Sequence, residues 1–261
     1  MSQKNKQQKI EIIASGREPK NRLLIITPTL GIVRIEWSAA RFGAIIPCNW
    51  SNGAFWYSSN IPQGYLTADG QNIGAQEAVK QDYEWVFFHE DDVILPQDIF
   101  LKLNAYIRKA DIPVISGLYY LKAEPSEPII YRGRGNSYFG DWKQGDKFWV
   151  DGVPTGCLLI HCSLLKLMWN ESEEYDVPLS NSIMKVRKIF ETPRKCWFDP
   201  ESNQYQTAQG TSDFYWCDRV IKENILPRTD WKKIAKRKYP FFVDTTIFCK
   251  HIDLTTGKQY P

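Results

Sequence analysis

Three consecutive acids, Glu90, Asp91 and Asp92, follow four apolar residues and a histidine in the stretch WVFFHEDDVILP, Trp85 to Pro96. Apolar residues then resume. Residues two apart on an extended chain face the same side, so Glu90 and Asp92 can converge. Two carboxylates about 4 Å apart repel by several kcal/mol at an effective dielectric near 20. A shared proton, a Lys or Arg, or a divalent cation offsets that cost. Carboxylate oxygens suit hard cations, Mg²⁺ or Mn²⁺, and Mg²⁺ keeps open positions for phosphate oxygens. The plainer reading is an exposed turn, or acids that complement the N-terminus of the following helix.

A strand must hold these acids. The apolar run LLIITPTL (Leu23–Leu30) fits a first strand buried on both faces of a parallel sheet. RIEWSAARFG predicts a helix stopping at Gly43, AIIPCNW a second strand, NIGAQEAVKQD (Asn72–Asp82) a helix, and WVFFHEDD a third strand. PQDIFLKLNAYIRKAD reads as a helix with Pro96 near its start, and IPVISGLYYL as a fourth strand. This β-α-β-α-β-α-β order predicts a parallel sheet wrapped by helices, with the acids at the carboxyl edge where such sheets bind ligands. The second half is less regular. AEPSEPIIYRGRGNSYFGDWKQGD reads as loops and short antiparallel strands, and VDGVPTGCLLIHCSLLKLMW (Val150–Trp169) as turn, strand and helix. TSDFYWCDRVIKENI (Thr211–Ile225) predicts an amphipathic helix with Phe214, Cys217, Val220 and Ile221 on one face and Thr211 or Ser212 as cap. YPFFVDTTIFCKHI reads as a last strand ending at His251.

The 261 residues suit one large domain: a basic N-terminal arm, 1–21, then a single catalytic unit, 22–261, with a nucleotide-side half, 22–121, and an acceptor-side half, 122–261. A net charge of +3 is too weak to argue for nucleic acid. No apolar run reaches the ~18 residues needed to span a bilayer, and the first residues lack the apolar core of a signal peptide. The expected location is therefore cytoplasmic. The six cysteines form no CxxC pair, which predicts free buried thiols. KKIAKRK (Lys232–Lys238) and YRGRG (Tyr131–Gly135) read as solvated faces, or as cations for a diphosphate or for peripheral contact with anionic lipid.

In order and spacing, TPT after the first strand, QNIGAQEA, WVFFHEDDVILP, VDGVPTGCLLIHCSLL, TSDFYWCDRVIKEN and VDTTIFCKHI resemble the nucleotide-sugar-dependent glycosyltransferases of the GT-A fold, in particular the family-2-like group. The resemblance spans about residues 22 to 253. Glu90-Asp91-Asp92 stands where that family has DxD, with Glu in place of the first Asp. Ser212 stands where it has Glu in an ED…R helix. The resemblance implies a Rossmann-like α/β fold: a mostly parallel central sheet flanked by helices, with a smaller antiparallel acceptor-side part.

The same resemblance implies a metal held by Asp92, Glu90 and His251, with Asp91 an alternative ligand or a donor contact. It implies Mn²⁺ or Mg²⁺ as cofactor, a UDP- or GDP-type sugar as donor and a carbohydrate or glycan as acceptor. Asp213 falls on the family's catalytic base in inverting members, with Asp218 its nearby rival, and Arg219 falls on the family's Arg. Thr27, Pro28 and Thr29 are expected to contact base and ribose, and Asn49 and Gln76 to lie in the donor site. Gly156, lacking Cβ, would allow close approach of the sugar. His89 and His161 read as structural. Trp142, Trp149, Trp169 and Trp197 are candidates to stack on an acceptor, or belong to the core. Two rival readings are a sugar-nucleotidyltransferase and a non-catalytic carbohydrate-binding protein on the same scaffold. TPTLGIVRIEW has one Gly and one Arg, against the Gly-rich basic loop expected of the former. Sugar binding without metal would mark the latter.

Overall fold

A computed structural model describes residues 22–47, 57–133, 137–179 and 181–261. Asn49, Cys48 and Arg134–Gly135 lie outside the described residues. The centre is a seven-stranded sheet. Its strands are β1 (Leu23–Ile26), β2 (Tyr57–Asn60), β3 (Trp85–His89), β5 (Val114–Leu118), β6 (Lys147–Val150), β7 (Cys157–His161) and β12 (Phe241–Phe248), after the two-residue β4 (Val93–Ile94). Their spatial order is β2-β1-β3-β7-β5-β12-β6. The sheet is mixed and mostly parallel. β1 pairs in parallel with β2 and β3, and β5 with β12, whereas β7 runs antiparallel between β3 and β5, and β6 antiparallel along β12.

The period-two alternation of the strands builds a core on each face. On one side Leu24, Ile26, Val86 and Phe88 pack with Phe190 and Trp216; on the other, Leu23, Ile25, Trp85 and Phe87 pack with Phe100 and Leu103. Helices cover both. α2 (Thr67–Lys80), α4 (Cys162–Glu171) and α5 (Ser212–Lys222) supply Ala75, Leu165, Met168 and Val220 to the first side, and α3 (Ile99–Lys109) supplies Ile99 and Ile107 to the second. Gly74 lets α2 lie close to β1, because a Cβ there would come within 2.4 Å of the Ile26 side chain. α1 (Ile35–Phe42) follows β1 and ends at Gly43, as its sequence predicts.

Small antiparallel sheets complete the chain. β13 (Lys250–Ile252) pairs with β4 and with β14 (Gln259–Tyr260), and β8 (Glu174–Pro178) pairs with β9 (Ile183–Arg187). β10 (Arg194–Asp199) and β11 (Gln204–Gln209) form a separate ribbon. The last helix is the short α6 (Lys232–Ala235).

Several expectations need correction. Ala44–Pro47 is not a strand; the sheet edge is β2, within the Ser- and Asn-rich stretch. α2 starts at Thr67, before the predicted Asn72. On α5 the buried face is Ser212, Trp216, Cys217 and Val220, while Ile221 is 39% exposed, and neither predicted cap side chain bonds the helix end. Cys157, Cys162, Cys217 and Cys249 are buried thiols outside any disulfide, but Cys196 is exposed on the ribbon. No helix of the described chain is long and apolar enough to cross a membrane.

Candidate functional site

β3 delivers the three acids just past its last buried residue, at the carboxyl end of a strand parallel to β1. His89 closes the strand. Its Nε2 donates to the Val93 carbonyl at 2.7 Å and its ring stacks on Trp37. Burial holds its pKa down at about 3, so it is neutral and structural. The Trp37 Nε1–H donates to the Glu90 carbonyl at 2.9 Å, which fixes the backbone beneath the acids.

The three carboxylates have different surroundings. The Thr155 hydroxyl donates to Glu90 Oε1 at 2.6 Å, and Thr155 Oγ1 in turn accepts from Gln71 Nε2 at 2.9 Å. Burial first, and then the charge of Asp92, push the Glu90 carboxyl up to about 8. Burial also raises Asp91, opposed by a hydrogen bond from Thr29. Asp92 stays ionised: burial is outweighed by a hydrogen bond and charge from His251 and by Lys122, which hold it at about 2. The cluster thus combines two of the offsets open to it, a retained proton on Glu90 and the Lys122 ammonium beside Asp92.

His251 reaches the acids through the pairing of β13 with β4, which sets His251 opposite Val93, and the Ile252 N–H donates to the Asp92 carbonyl at 2.8 Å. Its Nδ1 lies 2.8 Å from the Tyr120 carbonyl, an obligate acceptor, so Nδ1 carries a proton. Its Nε2 lies 3.1 Å from Asp92 Oδ2, an oxygen shared with the Lys122 ammonium. Asp92 Oδ1 is buried without a hydrogen-bond partner. Among the described residues no three His, Cys, Asp or Glu side chains are grouped as a metal cage. The edge therefore offers two protein donors, an orphaned carboxylate oxygen and an imidazole oriented through its other nitrogen, as metal-binding histidines are. Two such donors suit a divalent ion only where substrate oxygens complete its shell.

Beside this edge is a cleft of about 430 Å³ lined by Leu66, Thr67, Glu90, Thr155, Thr192 and the run Gln209–Asp213. Asp213 sits half-buried in the first turn of α5, where the Phe214 N–H donates to its Oδ1 at 2.8 Å. The fold thus brings Glu90, Asp92, Asp213 and His251 together from three distant segments. Asp218 is turned to Lys222 at 2.8 Å. Arg219 donates to the Lys188 carbonyl at 2.7 Å, binding α5 to the chain after β9.

The turn Thr27-Pro28-Thr29 lies at the same carboxyl edge: Thr27 and Thr29 are buried, and their N–H groups donate to the Asn60 and Pro62 carbonyls. Two further residues expected in the donor site make defined contacts within the fold. The Gln76 amide is held by the Lys185 carbonyl at 3.2 Å, against β9, and Gln76 does not line the cleft. Gly156 is packed against Tyr119: a Cβ there would come within 2.3 Å of the Tyr119 hydroxyl, which already accepts from the Gly156 N–H. Trp142, Trp149 and Trp169 are partly buried against the core, Trp197 is exposed, and Arg237 stacks over Trp149 at 4.0 Å. The sequence reading missed Lys122, Thr155 and Gln71. A cation near the acids was called for on charge grounds, but nothing in the spacing singled out Lys122, thirty residues beyond Asp92.

No family model matches the sequence, and no curated protein matches it. Among solved structures the chain is similar to the one described as the crystal structure of A197 from STIV, with a TM-score of 0.48 and 16% sequence identity over 92% of this chain and 93% of that one.

Proposed function

We propose that this chain is a GT-A-type glycosyltransferase that moves a sugar from a nucleoside-diphosphate donor to an acceptor hydroxyl. The observation that carries the reading is the convergence of the Asp92–His251 pair and the Asp213 cleft at the carboxyl edge of the parallel strands. Asp92 and His251 would hold Mn²⁺ or Mg²⁺, which when bound supplies Lewis-acid stabilisation of the charge on the departing diphosphate. Lys122 adds a fixed positive charge at the same edge. The Thr27–Thr29 turn and Asp91, which Thr29 bonds, form the adjoining wall for base and ribose.

In the cleft, Asp213 takes the proton of the acceptor hydroxyl as its oxygen bonds to the anomeric carbon. The bond from that carbon to the diphosphate oxygen breaks, and the electron pair leaves with the nucleoside diphosphate. Attack from the face opposite the leaving group inverts the configuration. Glu90, kept protonated by its enclosure, lines the cleft without adding a second negative charge beside the base.

UDP-, GDP- and TDP-sugars should be screened for Mn²⁺-dependent hydrolysis with the wild type and Asp92→Ala. One donor is expected to turn over slowly, and the variant to lose that turnover; equal rates in the two would remove Asp92 from the site. Asp213→Asn should keep nucleotide binding and lower transfer by about a hundredfold or more. Transfer at the wild-type rate would remove Asp213 as base.

A further inference from the structure

The β10–β11 ribbon is out of keeping with the rest of the fold. Apart from pairing with each other, its strands pack no more than marginally against any other element of the described chain. Both faces are open, with Trp197 and Phe198 48% exposed and Tyr205 77% exposed. An isolated two-stranded ribbon is marginal in water, and exposed aromatic rings add to that burden. Its base closes through the Gly210 N–H donating to the Pro193 carbonyl at 2.8 Å, and the flanking Thr192, Gln209 and Gly210 line the cleft that holds Asp213.

We infer that this ribbon is a platform for a linear, neutral oligosaccharide acceptor running out of the cleft. The inference rests on reading the cleft as the transfer site. Alternation places Tyr205, Thr207 and Gln209 on one face, and Phe198 is the cross-strand partner of Tyr205, with ring centroids 5.4 Å apart. Because Gln209 lines the cleft, that face continues outward from it to the aromatic pair. Tyr205 lies four residues from Gln209, about 13 Å along the strand, a span of roughly two to three sugar rings. The chemistry between the rings is that of sugar recognition. A pyranose presents an apolar C–H face to an aromatic ring and hydroxyls to amides, and here Thr207 and Gln209 accompany the rings. On this face β11 carries no charge, and β10 sets Cys196 opposite Thr207 and a single cation, Arg194, opposite Gln209 at the cleft end, where its guanidinium is a further donor to sugar hydroxyls. Self-association is the less suitable use, since three partly exposed rings fall well short of the ~800 Å² per partner typical of a stable interface.

The test is calorimetric titration of the full chain with cellohexaose, maltohexaose and chitohexaose, each against its disaccharide. At least one hexasaccharide should bind saturably, and at least tenfold more tightly than its disaccharide. Tyr205→Gln, which keeps a strand-compatible side chain but removes the ring, should weaken binding about tenfold, whereas Tyr205→Phe should retain it. Urea midpoints for both variants establish that each remains folded. If no hexasaccharide binds, or Tyr205→Gln binds like the wild type, the platform is refuted. A dimer in light scattering that Tyr205→Gln dissociates would also refute it, as a surface for a second copy. Mn²⁺-dependent UDP and GDP binding, measured on the same samples, separates the two readings: its loss counts against the donor site, and the hexasaccharide result alone decides the ribbon.

Discussion

Glu90→Gln probes the acid cluster directly. In the folded chain the carboxyl holds its proton up to about pH 8, whereas the ordinary value is 4.5. Between those values the folded state carries a proton that the unfolded state has lost. This contribution to stability is therefore fully present below about 4.5 and is lost as pH rises through 8. The full displacement corresponds to about 5 kcal/mol. The residue as a whole is only half-buried, so water reaching the side chain reduces this to roughly 3 kcal/mol. Gln keeps the oxygen that accepts from Thr155 and cannot ionise. Urea unfolding with EDTA present, at pH ~5, ~7 and ~9, should therefore show wild type and variant alike at the acid end. The variant should lead by roughly 3 kcal/mol at the alkaline end, while the other titrating groups cancel in the comparison. Parallel pH curves for the two proteins, or a wild type that gains on the variant as pH rises, would refute the picture of a proton kept on Glu90 so that Asp92 can stay charged.

Two further outcomes follow from neighbouring contacts. The neutral His161 side chain accepts from the Ser163 N–H at 3.3 Å and caps α4, while burial holds its pKa at about 4 against 6.5. The unfolded chain takes up that proton first, so stability is full above about 6.5 and falls as pH drops toward 4, by up to about 3 kcal/mol. His161→Asn, a cap that does not titrate, should flatten this acid limb in pH-dependent thermal melts; an unaltered limb would clear His161 of the effect. Gly156→Ala would bring a methyl within 2.3 Å of the Tyr119 hydroxyl and 2.6 Å of Val93. It should cost about 2 kcal/mol or more in chemical denaturation, with part regained in the Gly156→Ala, Tyr119→Phe double variant. An unchanged midpoint would mean that this wall yields freely.

The strand that carries the acids was legible because it is a run of apolar residues that a surface would not hold, but YPFFVDTTIFCKHI is not the single strand it resembles: β12 ends at Phe248, and His251 lies on β13 in the small sheet with β4 and β14. The helix that carries Asp213 was legible in the periodicity of TSDFYWCDRVIKEN. What strand runs do not encode is direction. Cys157–His161 reads like any buried strand, and only the fold shows it reversed between β3 and β5. That reversal brings Thr155 to Glu90, a contact spanning 65 residues that no local pattern announces. AIIPCNW misled because apolar content was taken for a strand, whereas Ile45 and Ile46 are exposed and the edge strand is the polar YSSN. The β10–β11 ribbon escaped notice for a related reason: a strand exposed on both faces has no inside-out alternation to detect.

The reversed β7 also acts as a spacer of fixed length. At one end the Gly156 carbonyl accepts from the Glu90 N–H; at the other the His161 N–H donates to the Pro113 carbonyl, and α4 begins at the next residue. Zipped to a neighbour on either flank, it cannot slide by a residue without unfastening two ladders and turning every side chain to the opposite layer. Insertions should thus be absorbed in the loops around it but not between Gly152 and His161, where one added residue would pull the Thr155 hydroxyl off the acid it restrains.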